Sequence, residues 1–326
     1  MNQGQTGAWI KPDWRLSLLR VGMRTLGAIH TGLAARAMDR IWFDAPRTRP
    51  KPDARARLDA GERLEFKVHG HRVATWSWGT GPAVLLLHGW GGHAGQMHAF
   101  VDPLLDASLR VVAFDAPAHG ESGRSRLGGH RVSFFEISEV LQVVAASAGP
   151  LAGIVAHSGG CAAAALAMRQ GWEAPAKIAF VSPFALPSSA IGAFAQAIGA
   201  NERVAERFRS GVERRFGCPW SYFDIPGLPE HLKTRPLLVV HDAEDREVPF
   251  THGQAVADAW PQARLVATRG LGHRRLLQDP AVVSCIVGFI AIGLPRAQPS
   301  HPADARGELD LAYENSGLPG RHWFGG

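Results

Sequence analysis

The chain has 326 residues, 46% hydrophobic and 20% charged, which is the balance of an ordinary globular protein and not of a disordered or membrane-spanning one. Its three cysteines, Cys161, Cys218 and Cys285, are too few and too scattered for a disulfide framework or a zinc site. The net charge of +6 is uneven: residues 1–58 carry eleven Lys and Arg against four Asp, and the remainder is close to neutral. That basic segment lacks a recognisable fold and aromatic interleaving, so nucleic acid is not an expected partner.

Taken in chain order, Leu16, Leu19, Met23, Leu26 and Leu33 keep one helix face apolar, and Arg20 and Arg24 fall on the other side. The longest uncharged run, 25–35, is far too short to span a bilayer and is a poor signal-peptide core. Such a helix has two uses. Residues 14–43 either dock on an anionic membrane surface or bury their leucines against the rest of the protein, the commoner use. Residues 45–52 read as an extended basic linker, so residues 1–60 form a helix-and-linker unit expected to be dispensable for chemistry.

Segments 64–68 and 72–78 read as an antiparallel hairpin joined by His69-Gly70-His71. Apolar strands near 83–88, 110–115, 152–157, 177–182, 236–241 and 263–268 then alternate with helices near 94–106, 130–148, 160–170, 251–259 and 280–292. This alternation predicts an α/β protein with a mostly parallel twisted sheet covered on both faces. The interval 184–234 interrupts it. Ile191, Phe194 and Ile198, then Val204, Phe208, Val212 and Phe216, predict two amphipathic helices there, the second capped by Asn201. Residues 295–326 are rich in Pro, Gly and Ser without periodicity and read as a disordered tail.

The most informative stretch is Ile154-Val155-Ala156-His157-Ser158-Gly159-Gly160, where a buried strand turns into a helix through one serine flanked by small residues. Such a turn strains the serine backbone, lifts its hydroxyl clear of the sheet, and aims the next residue's N–H at the same place. A serine hydroxyl needs a base and the base needs an orienting acid. His273 follows the strand at 263–268, and the turn after 236–241 carries Asp242, Glu244 and Asp245. Groups just past strand ends lie where an open parallel sheet places its ligands.

The order Ser158, Asp245, His273 resembles that of an α/β-hydrolase fold enzyme of the serine esterase or lipase type. Further stretches carry the likeness. His88-Gly89-Trp90-Gly91-Gly92 resembles the family's oxyanion loop, and Phe114 to Ser122 the turn after the following strand. Asp245 with Val248-Pro249 resembles the acid turn, which favours Asp245 over Asp242, and Gly272-His273 with Asp279-Pro280 resembles the histidine loop. The likeness spans roughly residues 62 to 292. Two departures stand out: Ala156 where the family has glycine, and Gly159 where it has a larger residue, which implies a roomier floor beside the serine.

The resemblance implies a hydrolase domain over 61–294 with 183–234 as a helical cap, no cofactor, and a small-molecule ester substrate. It gives Ser158 the role of nucleophile, His273 that of base, Asp245 that of orienting acid, and the Trp90 and Gly159 N–H groups that of oxyanion hole. Phe184, Phe208, Trp220 and Tyr222 would line the pocket. A serine at the elbow argues against the family's dehalogenases and epoxide hydrolases, which use aspartate there. C–C bond hydrolases, thioesterases, acyltransferases and cofactor-free haloperoxidases share the triad, and a non-catalytic ligand receptor could retain it. A cytoplasmic location is expected, with peripheral contact at the inner membrane surface if the N-terminal helix docks. Among the other histidines, His93, His98 and His130 lack metal-ligand spacing. His88, Asp115 and His119 read as loop organisers, Arg274 and Arg275 as exposed arginines, and strand alternation aims His157 away from Ser158.

Overall fold

The structure, a computed structural model, describes residues 14–293. The expected tail at 295–326 lies outside the described residues. In chain order the elements are α1 (Trp14–Ile29), α2 (Thr31–Phe43), α3 (Pro52–Asp59), β1 (Glu62–Val68), β2 (His71–Trp78), β3 (Ala83–Leu87), α4 (Val101–Asp106), β4 (Arg110–Phe114), α5 (Phe134–Ala148) and β5 (Leu151–His157). There follow α6 (Gly159–Arg169), β6 (Lys177–Val181), α7 (Pro187–Ile198), α8 (Glu202–Phe216), β7 (Leu237–Asp242), α9 (Phe250–Ala259), β8 (Ala263–Thr268), α10 (Gly272–Arg275) and α11 (Pro280–Ala291). The eight strands form one sheet in the order β1-β2-β4-β3-β5-β6-β7-β8. β1 and β2 pair antiparallel, as do β2 and β4, and every later pair is parallel.

Burial explains the strand sequences. β3, Ala-Val-Leu-Leu-Leu, is buried at every position, because both faces of the sheet are covered. Its alternate residues enter two different cores. Leu85 and Leu87 join Ile154, Phe180 and Val239 under α5, α6 and α9, whereas Val84 and Leu86 join Val155, Val181 and Val240 under α4 and α11. Chain order reverses around β3, which pairs with β4 on one side and β5 on the other. The loops leaving β3 and β5 therefore meet at the carboxyl edge where the sheet changes direction, the place at which such sheets bind ligands.

A third core lies outside the sheet. Met23, Met38 and Phe43 from the N-terminal helices pack with Ile191, Ile198, Phe208, Val212 and Phe216 from α7 and α8. Asn201 caps α8, its side chain accepting from the Val204 N–H at 3.0 Å. The N-terminal stripe is not one helix. The chain breaks at His30, whose Nδ1 caps α2 by accepting from the Leu33 N–H, and Leu33 itself is left exposed. Nor does the linker simply hang between units. Residues 45–51 lie across the loops after β3 and β4, where Arg47 donates to the Ala118 and Ser122 carbonyls and Thr48 to the Gly91 carbonyl, and α3 starts at Pro52.

Candidate active site

Ser158 closes β5 with φ +54° and ψ −120°, a region costly to any residue with a Cβ. Its neighbours explain how this conformation is held. The Ser158 N–H donates to the Val181 carbonyl at 2.9 Å, and its carbonyl accepts from the Phe184 and Cys161 N–H groups. A Cβ on Gly160 would stand 2.6 Å from the His88 carbonyl oxygen and 3.0 Å from that of Leu87, so only glycine lets α6 start this close to β3. Gly159 is the first residue of α6, and its N–H has no intrahelical acceptor. The Trp90 nitrogen lies 3.5 Å from where a Gly159 Cβ would be, and makes no backbone hydrogen bond among the described residues. Two N–H donors thus stand side by side next to Ser158, at the positive end of a helix. The ring edge of Phe134 lies 3.3 Å from that same Cβ position, so Phe134 takes the room that the small Gly159 leaves.

The loop bearing Trp90 is fixed by neutral histidines. His88 donates through Nδ1 to the Gly89 carbonyl and accepts through Nε2 from the Ala116 N–H. His119 donates through Nδ1 to the Pro117 carbonyl and accepts through Nε2 from the Gly91 N–H. Each ring accepts through one nitrogen, so each must be uncharged. Burial enforces this, lowering the His119 pKa to about 4 and that of His88 well below its ordinary value. Asp115 accepts from the Ala94 and Glu121 N–H groups, and its burial pushes its pKa up to about 6. Trp90 is anchored in turn by its indole N–H, which donates to the Asp44 carbonyl.

His273, on α10, donates from Nδ1 to Asp245 Oδ2 at 2.7 Å. The other Asp245 oxygen accepts from the Glu247 and Val248 N–H groups at 2.8 and 2.9 Å. Burial works to raise the Asp245 pKa, but hydrogen bonds from His241 and His273 outweigh it and hold the carboxyl well below the usual range. Asp242 is used differently. It accepts from the Glu244 and Leu271 N–H groups and the Thr268 hydroxyl, and so organises the turns before Asp245 and His273.

His157 does not point away. Its ring packs on that of His273 with centroids 4.6 Å apart, and its Nε2–H donates to the His273 carbonyl at 2.9 Å. Strand alternation ends at Ser158, because the positive φ there resets the direction of the chain. His241, at the end of β7, is likewise unforeseen: its Nε2 lies 3.0 Å from the Val248 carbonyl and 3.4 Å from Asp245 Oδ2. No local pattern marks it, since it is one polar residue at the end of an apolar run.

Ser158 and His273 open into one cavity of about 410 Å³. Phe184 and Trp220 line it, but Phe208 and Tyr222 do not. Phe208 sits behind the lining against Trp42 and Trp220, and Tyr222 packs against Phe135 and Arg169. Both point where their helical or turn register sends them, which aromatic content alone does not reveal. In their place the wall includes Phe134, Phe194 and Phe216 and, from the N-terminal segment, Ile41, Trp42 and Phe43. Trp42 stands edge-on to Phe194 at 4.9 Å and to Trp220 at 5.3 Å. The segment expected to be dispensable is therefore part of the wall. Polar groups gather at the mouth, where Arg274 pairs with Glu247 at 3.0 Å.

Residues 82–225 match the family model described as alpha/beta hydrolase fold. Over 44 residues the chain is 50% identical to a pimeloyl-[acyl-carrier protein] methyl ester esterase of Methylococcus capsulatus, a stretch covering 14% of this chain and only 17% of that relative. It is 25% identical over 267 residues to a putative carbamate hydrolase RutD of Variovorax paradoxus, covering 70% of this chain and 96% of the relative. Among solved structures, a putative lipase from Acinetobacter baumannii superposes with a TM-score of 0.56 at 16% identity, over 73% of this chain and 93% of that one.

Proposed function

We propose that this chain, a hydrolase of the α/β-hydrolase fold family, cleaves carboxylic esters with an apolar acyl group through an acyl-enzyme on Ser158. The observation that carries the proposal is the 2.7 Å His273–Asp245 hydrogen bond in a cavity shared with Ser158. Asp245 fixes the Nδ1–H tautomer of His273, which leaves Nε2 free to accept the Ser158 proton as Oγ attacks the ester carbonyl carbon. The carbonyl oxygen becomes an oxyanion, stabilised by the Trp90 and Gly159 N–H groups, each worth about 3 kcal/mol in comparable sites. Collapse breaks the bond to the alkoxy oxygen, which leaves as the alcohol with the proton held by His273. Water then enters, gives its proton to His273 and attacks the acyl carbon. Release of the carboxylic acid returns that proton to Ser158.

The aromatic wall supports an apolar acyl group, since it offers burial but few hydrogen bonds. The relative from Methylococcus acts on a methyl ester, which favours an oxygen ester over the thioester and C–C alternatives. Purified protein should release a stoichiometric burst of p-nitrophenol from a p-nitrophenyl ester panel, and an alkyl fluorophosphonate should modify Ser158, identified by mass spectrometry. Neither burst nor adduct would overturn the proposal and return attention to a ligand receptor.

A further inference from the structure

Helix α1 carries two apolar faces, and only one is covered. Met23 and Gly27 are buried against the α7–α8 layer, and Leu16 is buried on the same side of the helix. Trp14, Leu18, Val21 and Ile29 recur at the spacing of the opposite side of the same helix and are 62 to 78% exposed. With Leu33 they make five of the six large apolar side chains exposed among the described residues. A helix that packs on a core and otherwise faces water shows a single stripe, so the second one needs an occupant.

We propose that this outer face docks on an anionic lipid surface. Arg15 and Arg24 flank the stripe, one on each edge, and α1 contains no Asp or Glu. Arg36 and Arg40 lie exposed on the adjoining α2. An apolar strip bordered by arginines and free of carboxylates complements a bilayer whose headgroups are negative and whose interior is hydrocarbon. A second copy fits less well, because a twofold contact through this face would bring the same arginines together. No helix among the described residues is long and apolar enough to cross a membrane, so the contact is a surface one. It has a consequence for the cavity. α1 leads directly into α2, whose Ile41, Trp42 and Phe43 form part of the wall, so docking holds the cavity beside the lipid layer. The inference does not depend on which bond Ser158 cleaves.

Co-sedimentation of the full chain with vesicles tests it, using phosphatidylcholine alone and with one quarter phosphatidylglycerol. The anionic vesicles should carry the protein down at low salt, and 0.5 M NaCl should release most of it. The triple change Leu18→Ser, Val21→Ser and Ile29→Ser alters only exposed positions and should weaken binding by about tenfold or more. Arg15→Gln with Arg24→Gln should remove the preference for anionic vesicles, and serves as the second test should the triple variant not fold. No sedimentation with anionic vesicles, or equal binding by wild type and triple variant, would overturn the proposal. So would a dimer in ultracentrifugation that the triple change splits without any vesicle binding, which would assign the face to a second copy.

Discussion

Asp245→Asn is the most direct probe of the proposed chemistry, and its effect follows from how the carboxylate is shared. Oδ1 is committed to two backbone donors, the Glu247 and Val248 N–H groups, and Oδ2 faces the donors of His273 and His241. An asparagine would keep its oxygen on the two backbone N–H groups and so turn its NH₂ toward His273. Donor would then meet donor. His273 escapes the clash by moving its proton to Nε2, the nitrogen that must accept from Ser158. The variant should lose a thousandfold or more in kcat, roughly 4 kcal/mol of transition-state stabilisation, with KM nearly unchanged. Asp242→Asn makes the contrast. Its carboxylate serves the Thr268 hydroxyl and the Leu271 and Glu244 N–H groups, so the change should lower Tm by several degrees and cost far less in kcat. Steady-state and burst kinetics on one p-nitrophenyl ester, with thermal melts of both variants, decide the matter. An Asp245→Asn enzyme retaining a tenth of wild-type kcat would refute the reasoning, and a reversed ranking would move the acid to Asp242.

Other consequences can be measured alongside. Trp42→Ala opens the cavity wall and should shift preference toward longer acyl chains by about tenfold in relative kcat/KM, whereas Phe208→Ala, buried behind the lining, should cost about 3–5 kcal/mol of stability with little change in preference. Equal shifts in selectivity from both would contradict the assignment of the wall. Gly160→Ala drives a Cβ into backbone carbonyls and should cost about 3 kcal/mol, whereas Gly159→Ala crowds the edge of Phe134 and meets Trp90 only at ordinary contact distance and should cost about 1 kcal/mol, a ranking that denaturant melts can check. His88, His119, His157 and His252 are held neutral by burial and must take up protons on unfolding once the pH falls below their ordinary 6.5. The unfolded state then binds more protons, so stability falls with pH from about 6.5 toward 4, opposed between 3.8 and about 6 by Asp115, whose raised pKa acts with the reverse sign. A Tm unchanged between pH 7.5 and pH 5 would contradict this.

Local physics accounts for what was legible in the sequence. A strand buried on both faces must be apolar throughout, so β3 to β7 announce themselves. An elbow that brings a helix against a strand must be built of small residues, so Ala156, Gly159 and Gly160 single out Ser158 before any partner is found. The Asn201 cap needs only a short polar side chain three residues before the N–H it serves. Periodicity, by contrast, says that a face is buried and not what buries it. The leucines of the N-terminal helix read the same whether they meet a bilayer or a protein, and only the folded chain sets α1 on α7 and α8 and leaves its other face bare. Trp42 reaches Phe194 and Trp220 across more than 150 residues, a contact no local pattern encodes, so the wall of the cavity could not be read from the cap interval alone. The orientation of His157 was likewise decided in three dimensions, because one strained backbone angle at Ser158 ends the alternation that aims it away from Ser158, and its ring packs on His273 instead.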